Sequence, residues 1–327
     1  MSRFAVAGAT SWGLTLAWLL SCNGHDVVVV TRNAAETDRL RDAGHSERMP
    51  AITFGPTLRP VAPGSLEAPL DGVVLAVPAQ SLRGALGTLT TCHGLPLLSA
   101  AKGIELESGQ RMSEVIAGCG FPPGTISVLS GPNLAQEIVA GLPAAAVVAS
   151  HEEAQAAMWQ SALSGGSFRV YRSRDVTGVE LCGALKNVVA IAAGAGAGLG
   201  FGANTIAAIV TRGLAEITRL GTAAGAEPLT FQGLAGVGDL TATCFSPLSR
   251  NRRLGELLAA GKSPADALTE IHAAVEGVAT AKVALALGAR YGVDLPIATQ
   301  VAAVLEGRTT VAGAMSALLT RPLTGER

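Results

Sequence analysis

The sequence has little charge. Of its 327 residues only 15% are Asp, Glu, Lys or Arg, and the formal net charge is −1. So balanced a chain offers no broad basic surface, which argues against nucleic acid as a partner. Cysteine is scarce as well: Cys22, Cys92, Cys119, Cys182 and Cys244 are odd in number, scattered, and include no Cys-x-x-Cys pair. That pattern argues against metal binding or redox exchange and for reduced, mostly buried thiols. The N-terminus lacks the basic start, long apolar stretch and small-residue cleavage site of a secretion signal, so a cytoplasmic location is expected. No stretch supplies the roughly 20 apolar residues of a membrane span. The nearest approach, Val188 to Gly202, is built from Ala and Gly and reads as a buried helix ending in a Gly-rich loop. His25, His45, His93, His151 and His272 share no ligand spacing and accompany no nucleophile motif, so no metal and no histidine-based hydroxyacid chemistry is indicated. There is no fixed-period repeat and no low-complexity linker.

Apolar residues, in contrast, make up 49% of the chain. That is enough for a large core, at a length that usually divides into about two domains. Phe4 to Gly8 is a short apolar run, followed by a helical stretch from Trp12 to Asn23 and the β-branched run Val27 to Thr31. Further apolar runs end at Val77, Ser99 and Ser130, each followed by residues able to begin a helix or turn. Ala144 to Ser150 and Ser167 to Ser173 read as two more strands around a helix at Glu152 to Leu163. Such alternation predicts an α/β fold with a doubly wound, mostly parallel Rossmann-type sheet. From about Asp175 only helical periods with Gly and Pro punctuation remain, which predicts an all-α C-terminal domain. The boundary is expected near 174 to 180, giving a dinucleotide-binding domain over 1–177 and a substrate and catalytic domain over 178–327.

Gly8-Ala9-Thr10-Ser11-Trp12-Gly13 occupies the turn between the first strand and helix, where dinucleotide folds place Gly-x-Gly-x-x-Gly to bring backbone amides against a pyrophosphate. Thr10 stands where the middle glycine normally lets the phosphates approach, so a displaced or weakened cofactor is one expectation, and an ordinary tight turn is the plainer alternative. After the second strand the chain reads Thr31-Arg32-Asn33, with no acidic residue for ribose hydroxyls. Arg32 suits a 2′-phosphate, a modest lean towards NADP(H), although a solvated arginine at a strand end is common.

Read together, the segments AAKGIE, SGPNLAQE, GALKNVVAIAAG, GLGFGAN, TRGLAEITRLG, GVGDLTATC, SRNRRLG and VEG resemble, in order and spacing, bacterial NAD(P)-dependent glycerol-3-phosphate dehydrogenases. The similarity covers nearly the whole chain. It implies an oxidoreductase interconverting glycerol 3-phosphate and dihydroxyacetone phosphate with NAD(P)H, feeding glycerophospholipid synthesis. A small phosphorylated substrate is the implied partner, and a homodimer is the assembly to consider.

The resemblance also carries residue roles. Lys186 matches the family's acid/base lysine, and an apolar helix or a neighbouring cation would ease loss of its proton; the plainer role is a lysine whose stem packs while its ammonium reaches water. Lys102 would contact substrate and cofactor and help polarise the carbonyl, and its repulsion of Lys186 is one route to that loss. Asp239 would position lysine and substrate, with Thr243 four residues on along the same helical face; a helix N-cap with a structural hydroxyl is equally compatible. Ser249, Arg250 and Asn251 would meet the substrate phosphate end, Arg250 also lying near the cofactor, whereas Arg252 and Arg253 read as solvated helix residues. Gly131 and Asn133 are implied substrate contacts, although the family usually has Ser or Thr in place of Asn133. Ala135 would lie beside the nicotinamide, and Glu276 is an implied cofactor contact. A further departure falls at Ala197, where relatives often carry an acidic residue. Two other readings stay open: a two-domain reductase of another small keto acid, and a catalytically silent nucleotide-binding paralogue.

Overall fold

The computed structural model describes residues 1–67, 69–323 and 325. Its strands are β1 (Arg3–Ala7), β2 (Asp26–Val30), β3 (His45–Ser46), β4 (Met49–Thr53), β5 (Leu58–Val61), β6 (Gly72–Leu75), β7 (Leu97–Ser99), β8 (Ile126–Ser130), β9 (Ala144–Ser150) and β10 (Phe168–Ser173). The helices accompanying them are α1 (Ser11–Cys22), α2 (Ala34–Ala43), α3 (Leu82–Leu86), α4 (Met112–Gly118), α5 (Ala135–Val139) and α6 (Glu153–Leu163). After Ser173 the described residues form no strand, only α7 (Val176–Gly198), α8 (Ala203–Ala223), α9 (Asp239–Phe245), α10 (Arg250–Ala259), α11 (Pro264–Ile271), α12 (Glu276–Tyr291), α13 (Pro296–Leu305) and α14 (Val311–Leu319), with short 3-10 and π turns between some of them.

The chain divides into two compact units. Unit 1 comprises Met1–Glu105 and Gln110–Glu180, and unit 2 comprises Leu106–Gly109 and Leu181–Arg327. In unit 1 eight strands form one sheet in the order β10-β9-β8-β7-β6-β1-β2-β5, while β3 and β4 make a separate antiparallel pair. All neighbours in the large sheet are parallel except β8 and β9. Successive residues of β1 feed opposite layers: Phe4 and Val6 join a core with Leu14, Leu16 and Trp159, while Ala5 and Ala7 join another with Leu82, Leu86 and Val115. A strand covered on both faces has no polar alternation, so it reads as a continuous apolar run.

The apolar stretch from Val188 lies in α7, which begins at Val176, in line with helical periods from about Asp175, and ends at Gly198 ahead of the Gly-rich loop. Among the described residues it is the one helix long and apolar enough to cross a membrane, and 89% of its most apolar window is buried inside the protein. The thiols are only partly as expected: Cys92, Cys182 and Cys244 are buried, but Cys119 is half-buried and Cys22 exposed.

Candidate active site

In unit 1 the parallel strands deliver their carboxyl ends to one edge, where ligands collect in open α/β sheets. Gly8 closes β1, its amide bonded to Val30 O at 2.9 Å. Thr10 is the N-cap of α1, with extended backbone (φ −77°, ψ 163°), so nothing in its conformation demands glycine. Its hydroxyl accepts from the Gly13 amide at 3.0 Å and donates to Ala76 O at 2.9 Å, tying the loop to the end of β6. The Leu14 amide bonds Thr10 O. That leaves the first-turn amides of Ser11 and Trp12 for an anion at the helix start. Gly13 is required for close packing, because a Cβ there would sit 2.1 Å from Gly8 O.

At the end of β2, Asn33 caps α2 by accepting from the Glu36 amide at 2.9 Å, and the Arg32 amide donates to Glu36 Oε2 at 2.9 Å. The carboxylate nearest the strand end is thereby engaged with backbone. Arg32 is exposed, and its guanidinium has no ion-pair partner among the described residues. Loop, free amides and exposed arginine fit a phosphorylated dinucleotide.

One strand beyond β6, Lys102 follows β7 and donates from Nζ to Gly131 O at 2.7 Å, so the loops after β7 and β8 meet as expected for neighbouring parallel strands. Gly131 has φ +138°, and a Cβ there would lie 2.9 Å from the Ala146 Cα, which only glycine avoids. Asn133 follows on the same loop, its carboxamide shut off from solvent with neither Nδ2 nor Oδ1 hydrogen-bonded. Ala135 opens α5 and packs with Trp12 against one core.

Unit 2 assembles a second polar cluster. Lys186, on α7, is 6% exposed, which removes the reading of an ammonium that reaches water. Its Nζ contacts Asp239 Oδ1 at 2.5 Å and donates to Thr243 Oγ1 at 2.6 Å. Asp239 and Thr243 stand one turn apart on α9, and Thr243 Oγ1 lies 3.3 Å from the same carboxylate oxygen. Asp239 is the first residue of α9 rather than its cap, which is Gly238. Within this unit the charged neighbour of Lys186 is the Asp239 carboxylate. Two of the three ammonium donors are occupied, and one remains for a substrate oxygen. Cys244, next along α9, is pushed up to about 12 chiefly by burial, so its thiol stays protonated and inert.

Beside this cluster Asn251 donates from Nδ2 to Asn187 Oδ1 at 2.9 Å and accepts from the Gly277 amide at 3.0 Å, linking α10, α7 and α12. Glu276 precedes Gly277 at the start of α12. Asn187 is the residue the sequence reading passed over. A buried amide next to Lys186 in an otherwise apolar helix was its only signal. Ser249 caps α10 by accepting from the Arg252 amide at 3.2 Å, and Arg250 opens that helix, exposed. Arg252 is held by Phe245 O at 2.9 Å and Glu256 at 3.1 Å, and Arg253 by Glu270 at 3.0 Å. The basic run thus contains two arginines already committed to structure.

Residues 3–156 match the family model described as the NAD-dependent glycerol-3-phosphate dehydrogenase N-terminus, and residues 175–316 match the one described as its C-terminus. The chain belongs to the NAD-dependent glycerol-3-phosphate dehydrogenase family. Within that family, a glycerol-3-phosphate dehydrogenase [NAD(P)+] of Geobacter sulfurreducens is 44% identical over 99% of both chains. A second, from Mycobacterium tuberculosis, is 43% identical over 98% of this chain and 97% of its own. A crystal structure of glycerol-3-phosphate dehydrogenase from Coxiella burnetii superposes with a TM-score of 0.92 at 33% identity, covering 98% of this chain and 99% of that one.

Proposed function

We propose that the protein is a cytoplasmic NAD(P)-dependent glycerol-3-phosphate dehydrogenase that interconverts sn-glycerol 3-phosphate and dihydroxyacetone phosphate, feeding glycerophospholipid synthesis. The observation that carries this reading is the Lys186 ammonium, buried against Asp239 and Thr243 with one donor to spare. Interconverting a secondary alcohol and a ketone needs one group that can give a proton to the oxygen and take it back. Lys186 does both. Asp239 and Thr243 hold its Nζ in place and keep a charge in an apolar setting.

Residues 1–177 hold the dinucleotide, with the pyrophosphate on the amides of Ser11 and Trp12 inside the Gly8–Gly13 turn, and Arg32 meeting a 2′-phosphate. When bound, the nicotinamide supplies the carbon that donates or accepts hydride. Ala135, Arg250 and Glu276 complete the contacts to it. Lys102, after β7, polarises the substrate carbonyl, and Gly131 and Asn133 on the loop after β8 contact the substrate. In residues 178–327, Ser249, Arg250 and Asn251 take the phosphate end, where an arginine fork suits phosphate oxygens.

The test follows absorbance of reduced nicotinamide with dihydroxyacetone phosphate, for NADH and NADPH, in the wild type and Lys186→Met. Turnover in the wild type that collapses in the variant is expected. Failure with dihydroxyacetone phosphate alongside reduction of ketopantoate or a similar keto acid would select another reductase. Sedimentation of the same sample distinguishes a homodimer from a monomer.

A further inference from the structure

Between the end of β7 and the start of α4 the chain carries Lys102 through residues that form neither helix nor strand, only an isolated antiparallel bridge of Ile104 with Arg111. Before Lys102, the Ala100 amide bonds Leu75 O at 2.9 Å and so holds the chain to β6. Beyond it, side chains supply the anchors. Gln80 donates from Nε2 to Ile104 O at 2.8 Å. Arg83, on α3, grips the Glu105 carboxylate with two prongs, Nε to Oε1 at 2.9 Å and Nη2 to Oε2 at 2.8 Å. The same guanidinium lies 3.4 Å from Gln110 Oε1 on the returning leg, and the Gln110 backbone oxygen accepts from the Glu105 amide at 2.9 Å. Lys102 is thus bracketed by bonds to the segment that ends β6 and opens α3.

Glu105 is 8% exposed, while nearly half of the Arg83 side chain is open to water. An ion pair that takes a carboxylate out of water is a weak source of stability, because desolvation cancels most of the attraction. What a two-pronged pair adds over an apolar contact is one fixed orientation. That orientation matters to Lys102, three residues upstream. Its ammonium rides on a flexible stem, and the 2.7 Å bond from Nζ to Gly131 O requires the backbone beneath it to stay in place. We propose that Arg83 and Glu105 are positioning residues for Lys102, fixing the loop that aims its ammonium at the substrate carbonyl. The proposal rests on the reading of Lys102 as the group that polarises dihydroxyacetone phosphate.

The experiment is a double-mutant cycle on kcat/KM for dihydroxyacetone phosphate, with Arg83→Met made in the wild type and in Lys102→Ala. In the wild type Arg83→Met is expected to lower kcat/KM about 10- to 100-fold, the effect of displacing a polarising group by about 1 Å. In Lys102→Ala the same change should move it by less than about 2-fold, since no ammonium is left to aim. Arg83→Lys keeps Glu105 paired but loses the fork, which covers the case of a Met variant that folds poorly. Its smaller loss should vanish in Lys102→Ala as well. The second readout is the rate at which acetic anhydride modifies Lys102, measured by peptide mass against the exposed Lys282. Freed from Gly131 O, Lys102 should react about 5-fold faster in Arg83→Met, the worth of one hydrogen bond. A loss of activity equal in both backgrounds overturns the proposal and makes the pair a structural one. So does an unchanged kcat/KM in Arg83→Met, or a Lys102 that reacts there at its wild-type rate. A wild type that leaves dihydroxyacetone phosphate unreduced would sink the proposed substrate instead, and the acetylation rates alone would then decide the positioning.

Discussion

Asp239 Oδ1 lies 2.5 Å from Lys186 Nζ, with both side chains buried. With both partners present, attraction offsets the loss of water; with one removed, the other charge is stranded, at about 3–5 kcal/mol. Asp239→Asn keeps the shape and strands the ammonium. Its kcat is expected to fall by at least about 100-fold, the range of a lost acid/base arrangement, with NADH affinity changed far less, because the amides proposed to hold the pyrophosphate are those of Ser11 and Trp12. Steady-state rates with a parallel NADH titration measure both. A near-normal kcat would remove Asp239 from the catalytic group.

Arg250 opens α10 beside Asn251, whereas Arg253 lies three residues further along the helix. Arg253 ends on Glu270 at 3.0 Å, which commits it to structure. Arg250→Met is therefore expected to raise the KM for dihydroxyacetone phosphate about 10- to 100-fold, as loss of a charge-assisted bond of about 1.5–3 kcal/mol implies. Arg253→Met should leave it unchanged. Equal effects from the two would spread phosphate binding over the whole basic run.

Arg32 bears on the choice of cofactor. Its guanidinium is exposed at the end of β2 and its own amide is held by Glu36. Arg32→Ser is expected to weaken NADPH about 10-fold while NADH is barely affected. Because the site is exposed, the difference should shrink as salt is added. A variant that weakens both cofactors alike, at low salt, would take Arg32 off the 2′-phosphate.

Strands β1, β2 and β9 could be read from sequence because burial on both faces leaves apolar runs. β5 could not: Leu-Arg-Pro-Val at the sheet edge alternates buried and half-buried residues and carries a proline. At the site, residue types were visible and pairings were not. Lys186 and Asp239 are 53 residues apart and Asn187 and Asn251 are 64 apart, so no local pattern announces either bond. Thr10 looked like a flaw in the glycine turn because the sequence does not show which way its hydroxyl points, which is inward as a cap.

Glu216 is the sharpest case of a residue whose environment the sequence conceals, and it sets a pH dependence. It lies on α8 and is 5% exposed. It accepts from the Ile297 amide at 2.7 Å and the Ala298 amide at 3.3 Å, capping the first turn of α13. Burial pushes its carboxyl up from 4.5 to about 7, against the pull of those two amides and of Arg219, with Asp294 adding to the rise. The folded protein therefore holds this proton more tightly than the unfolded chain does. Between pH 4.5 and about 7 the folded state binds the extra proton, so stability falls as pH rises through that window and levels off above it. The full gap corresponds to roughly 3 kcal/mol. Glu216→Gln retains an acceptor for Ile297 and cannot ionise, so this part of the slope should disappear. Urea midpoints at about pH 5 and about pH 8, for both proteins, measure it. A variant that loses stability across the window as steeply as the wild type would place the titrating group elsewhere, and Glu216 would then be a cap that stays charged throughout.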